Sequence, residues 1–134
     1  MSGETDLKKL LASMEPSLNE GRYAFVRAGT FEEAARHKPL MLFQEAEAVT
    51  MILLFDEADA AGLEPEFPCC WITLNVHSSL EAIGFLARIV PRLAALGMGV
   101  NPVAGYYHDH LFLPYDRAED AMKELKAIAA QARE

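Results

Sequence analysis

The chain has 134 residues, of which 51% are hydrophobic and 24% are charged, and its formal net charge is -8. This composition is typical of one globular domain, or of two very small modules that share a core, and it excludes a disordered chain. An acidic chain without a basic stripe repels nucleic-acid phosphates and anionic membrane surfaces. We therefore expect neither nucleic acid nor membrane as a partner.

The location of the protein is constrained by the same sequence. The longest apolar stretch, around residues 49–55, is far shorter than the roughly 18 residues that a transmembrane helix needs. The N-terminus lacks the apolar region of a secretory signal. Cys69 and Cys70 are neighbours, which makes a structural disulfide between them improbable on a strand. These features predict a cytoplasmic protein.

The first half of the chain predicts a helix, a strand, a helix, two strands and a helix. Leucines at helical spacing indicate the first helix, which ends before Pro16. Thr30 with Glu33 forms a capping box, and Asp56 is expected to cap the last of these helices. The first helix occupies residues 5–14 and the strands occupy residues 22–27, 40–44 and 49–55. The second helix follows Thr30 and is stopped by Pro39, and the third follows Asp56 and is closed by Gly62.

The second half predicts a strand, a long helix, two strands and a final helix. Ser78 with Glu81 reads as a second capping box, and Asp116 with Glu119 is expected to cap the final helix. Pro91 removes one hydrogen bond within the long helix. In order, the predicted strands occupy residues 70–76, 98–104 and 110–113.

The two halves repeat the order strand, helix, strand, strand, helix, first over residues 22–62 and then over 70–133. Short connections and right-handed crossovers turn this order into an antiparallel sheet with helices on one face. The sequence therefore predicts an α+β fold of two tandem ferredoxin-like modules. We place the first module at 1–63, a proline-containing linker at 64–68 and the second module at 69–134.

The run from Trp71 to Leu113, WITLNVHSSLEAIGFLARIVPRLAALGMGVNPVAGYYHDHLFL, resembles the ACT domain. It has a strand, a small-residue loop, a helix with the early glycine Gly84, and then the pattern Leu-Ala-x-x-Gly over residues 93–97. An asparagine-bearing strand and a hairpin complete the layout. The whole chain resembles the short bacterial tandem-ACT proteins and the regulatory domains of aspartate kinases, and it is more distantly similar to CASTOR-type arginine sensors.

This resemblance implies a non-catalytic regulatory protein that binds an amino acid or a related small metabolite where two ACT modules meet, as a homodimer. The sequence departs from the family in two ways. Many ligand-binding ACT domains have Asp-x-Pro-Gly in the first strand–helix loop, where this chain has residues 77–80, His-Ser-Ser-Leu. The first repeat has no comparable glycine-bearing loop, so we expect one competent half-site per chain.

The loop after the first strand of the second module is the candidate ligand site. The hydroxyl groups of Ser78 and Ser79 and the free N–H groups of the helix start can hold a carboxylate, and Asp109 can hold an ammonium group. These same residues could serve only as a helix cap and a turn. The resemblance adds the facing strand, from Asn101 onward. The candidate ligand-binding residues are His77, Ser78, Ser79, Leu80, Gly84, Asn101, Val103, Ala104, Gly105, Tyr107 and Asp109.

The residues allow two other functions. His108 and His110 share one strand face, and His77 could approach them, so two or three imidazoles with a carboxylate could bind zinc. No second ligand pair supports this, and we expect neither metal nor cofactor. No catalytic motif is present, which argues against an enzyme. A protein-interaction or dimerisation module without a ligand remains the main alternative, and a metal-binding protein the lesser one.

Overall fold

The structure is a computed structural model that describes residues 3–134. Met1 and Ser2, with which the predicted first module begins, lie outside the described residues. The helices are α1 (Leu7–Ser13), α2 (Phe31–Arg36), α3 (Phe55–Ala60), α4 (Phe85–Ala94) and α5 (Ala118–Ala132). The strands are β1 (Glu15–Ala28), β2 (Met41–Gln44), β3 (Val49–Leu54), β4 (Glu66–Asn75), β5 (Asn101–Ala104) and β6 (Asp109–Pro114).

The chain forms two compact units. The smaller unit is Gly21–Cys69, and the larger unit combines residues 3–20 with residues 70–134. Within residues 3–134, none of the helices has the length and apolar character needed to cross a membrane.

In the smaller unit, the strand order is β2–β3–β1–β4. The pairs β1–β3 and β2–β3 are antiparallel, and Tyr23 lies opposite Leu54 at one end of the first pair while Ala28 lies opposite Val49 at the other. Val26, Met51 and Leu53 are in the core cluster on one face. The side chain of Thr30 caps α2 by accepting a hydrogen bond from the Glu33 N–H at 3.2 Å, so this predicted cap is confirmed.

In the larger unit, the strand order is β1–β4–β6–β5. The side chain of Asn19 on β1 donates to the Trp71 carbonyl at 3.2 Å, and that of Asn75 on β4 donates to the Glu15 carbonyl at 2.9 Å. The apolar side chains of α1, α4 and α5 pack on Ile72 and Leu74 of β4. All three helices therefore cover the same face of this unit.

Both units have the ferredoxin-like strand order, in which the fourth strand lies beside the first. The smaller unit takes its fourth strand from the start of β4, and the larger unit takes its fourth strand from the start of β1. The fold class predicted from the sequence, α+β with tandem ferredoxin-like modules, is confirmed.

The structure divides the chain differently from the predicted boundaries. Residues 3–20, which the sequence assigned to the first module, lie in the larger unit, and residues 66–68 of the predicted 64–68 linker belong to β4. The reason is non-local: backbone pairing and the Asn19 and Asn75 side chains order residues 15–20 as a strand, although their local pattern predicts none.

Two predicted helix caps are wrong. Asp56 lies inside α3, which begins at Phe55 and has no side-chain cap. A turn of 3-10 helix, Tyr115–Arg117, precedes α5, so Asp116 does not cap that helix, which begins at Ala118. In both cases a helical turn begins directly after the last residue of a strand, which is Leu54 or Pro114. Asp56 and Asp116 therefore lie inside a helical turn and cannot be the extended residue that caps it.

The packing of the larger unit predicts that Leu10 on α1 stabilises a core built mostly from the second half of the chain. Leu10 is fully buried in that core. We expect Leu10→Ala to lower the free energy of unfolding by about 2–5 kcal/mol. Leu18→Ala is the control, because Leu18 is 46% exposed, and should cost about 1 kcal/mol or less. Urea unfolding measures both; equal effects would contradict this packing.

Candidate functional site

The segment between β4 and α4 is a loop, not the helix start that the Ser78–Glu81 capping box predicted. The hydroxyl oxygen of Ser79, not of Ser78, accepts a hydrogen bond from the Glu81 N–H at 3.1 Å. The helix begins only at Phe85, after Gly84, whose φ of 88° is left-handed. A residue in this conformation cannot continue a right-handed helix, so the loop stays separate from α4.

A pocket of about 210 Å³ lies beside this loop in the larger unit. It is bordered by the loop, by the first turn of α4, by the end of β5 and by the start of β6. Its lining residues are Ser78, Ser79, Leu80, Ala82, Gly84, Phe85, Leu86, Ala87, Ala104 and Asp109.

Ser78 and Asp109 join the loop to β6 at this pocket. The Ser78 hydroxyl donates to Oδ2 of Asp109 at 3.2 Å, and both residues are only 8% exposed. When the hydrogen-bond donor of a buried carboxylate is a neutral hydroxyl, the negative charge of the carboxylate is only partly compensated. Burial, the largest effect, raises the pKa of Asp109, while the Ser78 hydrogen bond and then His110 and His108 act to lower it.

The first turn of α4 presents its backbone to the same pocket. Phe85, Leu86 and Ala87 line the pocket, and the first hydrogen bond of the helix is made by the N–H of Arg88 to Gly84. Among the described residues, no side chain caps this helix. The pocket therefore combines the positive end of a helix dipole with one buried carboxylate. None of the described residues that line it is Lys, Arg or His.

The start of the chain holds the loop from its other side. The Glu4 N–H donates to the His77 carbonyl at 2.8 Å, and the Ser79 N–H donates to the Glu4 carbonyl at 2.9 Å. Gly3 has a left-handed φ of 99°, and a Cβ at this position would lie 2.6 Å from the Ser79 nitrogen. Residues 3–5, here called the N-terminal arm, thus fix the backbone of Ser78 and Ser79.

Comparison with known families identifies the family to which the chain belongs. Two family models, both described as ACT domain, match residues 2–70 and 66–127. The chain belongs to the ACT domain family. ACT domains are regulatory, non-catalytic modules, and the suspected resemblance to them is confirmed. Among curated proteins, none matches the sequence.

Solved structures similar to this ACT protein extend the comparison. A Vibrio cholerae protein of unknown function, described as a possible transport protein, is 38% identical; the match covers 92% of this chain and 95% of that one, with a TM-score of 0.84. An Agrobacterium tumefaciens protein is 14% identical over 87% of this chain and 89% of its own, with a TM-score of 0.70. The ligand-free regulatory subunit of aspartate kinase from Thermus thermophilus is 12% identical over 87% and 99%, with a TM-score of 0.63. The last two show the shared fold.

The structure brings together about half of the residues that the sequence singled out. Six of them line the pocket beside the loop between β4 and α4, and these are Ser78, Ser79, Leu80, Gly84, Ala104 and Asp109. Five others lie outside its lining, and these are His77, Asn101, Val103, Gly105 and Tyr107. Asn101 and Val103 are on β5 itself, whereas only the last residue of this strand reaches the pocket.

His77 and Tyr107 belong instead to an aromatic cluster at the hairpin between β5 and β6. The rings of His77 and Tyr107 are 5.3 Å apart, and those of Tyr106 and Tyr107 are 4.9 Å apart. Both tyrosines are more than 60% exposed. Gly105 closes the hairpin by donating its N–H to the His108 carbonyl at 2.9 Å.

The histidines considered for zinc have other partners. Trp71 Nε1–H donates to Nδ1 of His110 at 3.0 Å, and Thr73 Oγ1 is 3.1 Å from the same nitrogen. His110 Nδ1 therefore acts as an acceptor, so the proton is on Nε2. Burial and then His108 lower the pKa of His110, which favours this neutral form. Over residues 3–134, no group of three His, Cys, Asp or Glu side chains is arranged to hold a metal ion.

Sequence reasoning missed two parts of this site. Phe85, Leu86 and Ala87 contribute through their backbone position, and the delayed glycine at Gly84 was the available signal for a later helix start. The N-terminal arm has no local sequence signal for its contacts with the loop, because they join residues more than 70 positions apart.

The close approach of Gly3 to Ser79 is testable. We expect Gly3→Ala to displace the arm, because the new Cβ would meet the Ser79 nitrogen, and to lower the free energy of unfolding by about 1–3 kcal/mol. The Ser79 amide should lose protection from hydrogen exchange. Gly97→Ala is the matched control, since Gly97 also has a positive φ of 81° but has nothing within 4 Å of its Cβ position. Equal Ser79 protection in the two variants would contradict the arm contact.

The burial of Asp109 predicts how stability depends on pH. Its folded pKa is raised, so between the unfolded value of about 3.9 and the folded value the native state binds more protons. Stability from this group is present below the unfolded pKa and is lost as pH rises through the folded pKa. Urea unfolding across this window should show that Asp109→Asn removes the loss.

Asp116→Asn is the control for removing a carboxylate, because Asp116 is exposed. The informative quantity is the difference in pH slope between each variant and the wild type. If the wild type gains stability relative to Asp109→Asn as pH rises, burial does not dominate at this carboxylate.

Proposed function

We propose that this ACT protein is a regulatory protein, without catalytic activity, that binds an α-amino acid or a related small metabolite in the pocket between Ser79 and Asp109. The observation that carries the proposal is that a helix start and a buried carboxylate line the same small pocket. The regulatory role of ACT domains, and the shared fold of the aspartate kinase regulatory subunits, support the regulatory part of it.

The first turn of α4 suits the carboxylate of such a ligand. The N–H groups of Phe85, Leu86 and Ala87 have no carbonyl partner within the helix, and the dipole favours a negative charge beside them. The Ser79 hydroxyl, which borders the pocket, can add a donor.

Asp109 suits the ammonium group. Its carboxylate is buried and has one hydrogen bond from Ser78, so an incoming cation would compensate its charge in a place shielded from water. Ligand binding should therefore lower the pKa of Asp109 from its raised value.

The size of the pocket limits the ligand. Pockets for drug-sized ligands have about 300–1,000 Å³, whereas this one has about 210 Å³. Its remaining wall is formed by alanines and by Leu80, Phe85 and Leu86. We therefore favour an amino acid with a short, uncharged side chain over a long or charged one.

We further propose that the protein acts as a homodimer in the cytoplasm and that a module of a second copy covers the pocket. Leu80 and Ile83 on the loop are 58% and 86% exposed, and Tyr106 and Tyr107 on the hairpin are 61% and 63% exposed. Large apolar side chains concentrated on one loop and hairpin favour burial against a partner. A ligand bound there would strengthen association and so signal to a downstream protein.

The same exposed side chains favour the second candidate, a dimerisation or interaction module that binds no ligand. A ligand requires the charge of Asp109, whereas an interaction module requires only the apolar surface. The two functions therefore respond differently to a change that removes the charge and keeps the shape.

A thermal-shift screen with the standard amino acids tests the proposal. A ligand at a hundred times its dissociation constant should raise the free energy of unfolding by about 2.7 kcal/mol. Asp109→Asn should abolish most of this rise, and Asp116→Asn should retain it. Light scattering on the same samples gives the oligomeric state. Stabilisation by none of the amino acids, in a protein that still dimerises, would favour the interaction module; a monomer at every concentration would contradict the dimer.

A further inference from the structure

The smaller unit contains a second pocket, which has no lining residue in common with the first. It has about 490 Å³ and is lined by residues of β1 and β3, by the segment that connects α3 to β4, and by the first residue of β4. Its lining residues are Phe25, Val26, Arg27, Thr50, Gly62, Leu63, Glu64 and Glu66. We infer that this pocket is a binding site for a zwitterion with a large apolar portion, such as an amino acid with a large apolar side chain.

Three charged side chains supply the polar part of this pocket. Arg27 lies opposite Thr50 in the β1–β3 register, Glu64 comes from the segment that connects α3 to β4, and Glu66 is the first residue of β4. Within the described part of the chain, none of the three forms an ion pair, even though all three line the same pocket. Both signs of charge are therefore available to a ligand.

This charge pattern matches a zwitterion. A guanidinium group binds a carboxylate through two parallel hydrogen bonds, which neither a lone anion-binding loop nor a lysine can reproduce. The carboxylates of Glu64 and Glu66 accept hydrogen bonds from an ammonium group. A simple anion would be repelled by the two glutamates, and a simple cation would leave Arg27 without a partner.

The apolar part of the pocket sets the size of the ligand. Phe25 and Leu63 contribute apolar walls, and Leu63 also packs against the core cluster of this unit. The volume is more than twice the 210 Å³ of the first pocket. A zwitterion with a branched, thioether or aromatic side chain fits these walls better than a small one.

The backbone is unusually constrained where the segment that connects α3 to β4 leads into β4. Glu64 and Phe67 have left-handed φ angles of 53° and 57°, which side chains other than glycine rarely adopt. The ring of Phe67 lies 6.1 Å from that of Phe25. Such conformations are maintained only where surrounding contacts hold them, and they concentrate at ligand-binding positions. Here they fix the segment that presents both glutamates.

This inference does not depend on the proposed function. The two pockets share no lining residue. The first repeat lacks a glycine-bearing strand–helix loop, which is why one half-site per chain was expected, but that loop is not part of the second pocket. A failure at one pocket therefore leaves the other unaffected.

The experiment is a titration of the full-length, ¹⁵N-labelled protein with L-leucine, L-methionine, L-phenylalanine and L-tryptophan, followed by amide NMR. We expect saturable shifts for the amides of Gly62, Leu63, Glu64 and Glu66 with at least one of them. Phenethylamine and 3-phenylpropionate, which each lack one charge of L-phenylalanine, should bind at least about tenfold more weakly than the amino acid. No saturable shift at residues 62–66 with any of the four amino acids would overturn the inference.

Variants separate this pocket from the first. Arg27→Met removes the guanidinium and should weaken the binding seen at residues 62–66 by about tenfold or more, and the spectrum itself reports whether the variant is folded. Arg36→Met is the matched control, because Arg36 is also exposed in the smaller unit but does not line the pocket. Asp109→Asn should leave the shifts at residues 62–66 intact. Equal binding by Arg27→Met and Arg36→Met would overturn the role of Arg27 and with it the inference.

Discussion

Each ferredoxin-like unit of this ACT protein depends on a fourth strand that the opposite half of the sequence supplies. A unit of strand, helix, strand, strand and helix leaves its first strand with one unpaired edge, which exposes backbone N–H and C=O groups. In the larger unit, Glu15 to Glu20 fill that edge beside β4, and the Asn19 and Asn75 side chains add hydrogen bonds across the pair. Neither half of the chain can therefore complete its own unit, which couples the folding of one half to that of the other.

The candidate site also depends on residues from the first half of the chain. Because β1 begins in the larger unit, the residues that precede it are also placed there, and α1 packs into the core that supports α4. The N-terminal arm then reaches the loop at Ser79, whose N–H it binds. The geometry of a pocket whose lining residues all lie within residues 78–109 is thus fixed in part by residues 3–5. The backbone contacts of the arm therefore add to the hydrogen bonds that the Ser78 and Ser79 side chains make in holding this loop.

Local pattern was sufficient for much of this architecture. The order of strands and helices, the Thr30 cap and the proximity of Ser78, Ser79 and Asp109 all follow from periodicity together with the right-handed crossover. What failed was non-local or depended on backbone conformation. Residues 15–20 form a strand only because β4 is there to pair with them, and α4 starts late because Gly84 adopts a left-handed conformation. Asn101 and Val103, predicted through the facing strand of another module, lie outside the pocket of a single chain.

The two pockets place their charges in physically different ways. At the first, the helix start is rigid backbone and Asp109 is buried, so the proposed ligand would meet a preorganised and weakly screened field. At the second, Arg27, Glu64 and Glu66 are exposed, and the ordering of long side chains and the screening by salt both reduce what each contact contributes. Affinity at the first pocket should therefore depend on fit and little on ionic strength, whereas affinity at the second should fall as salt is added.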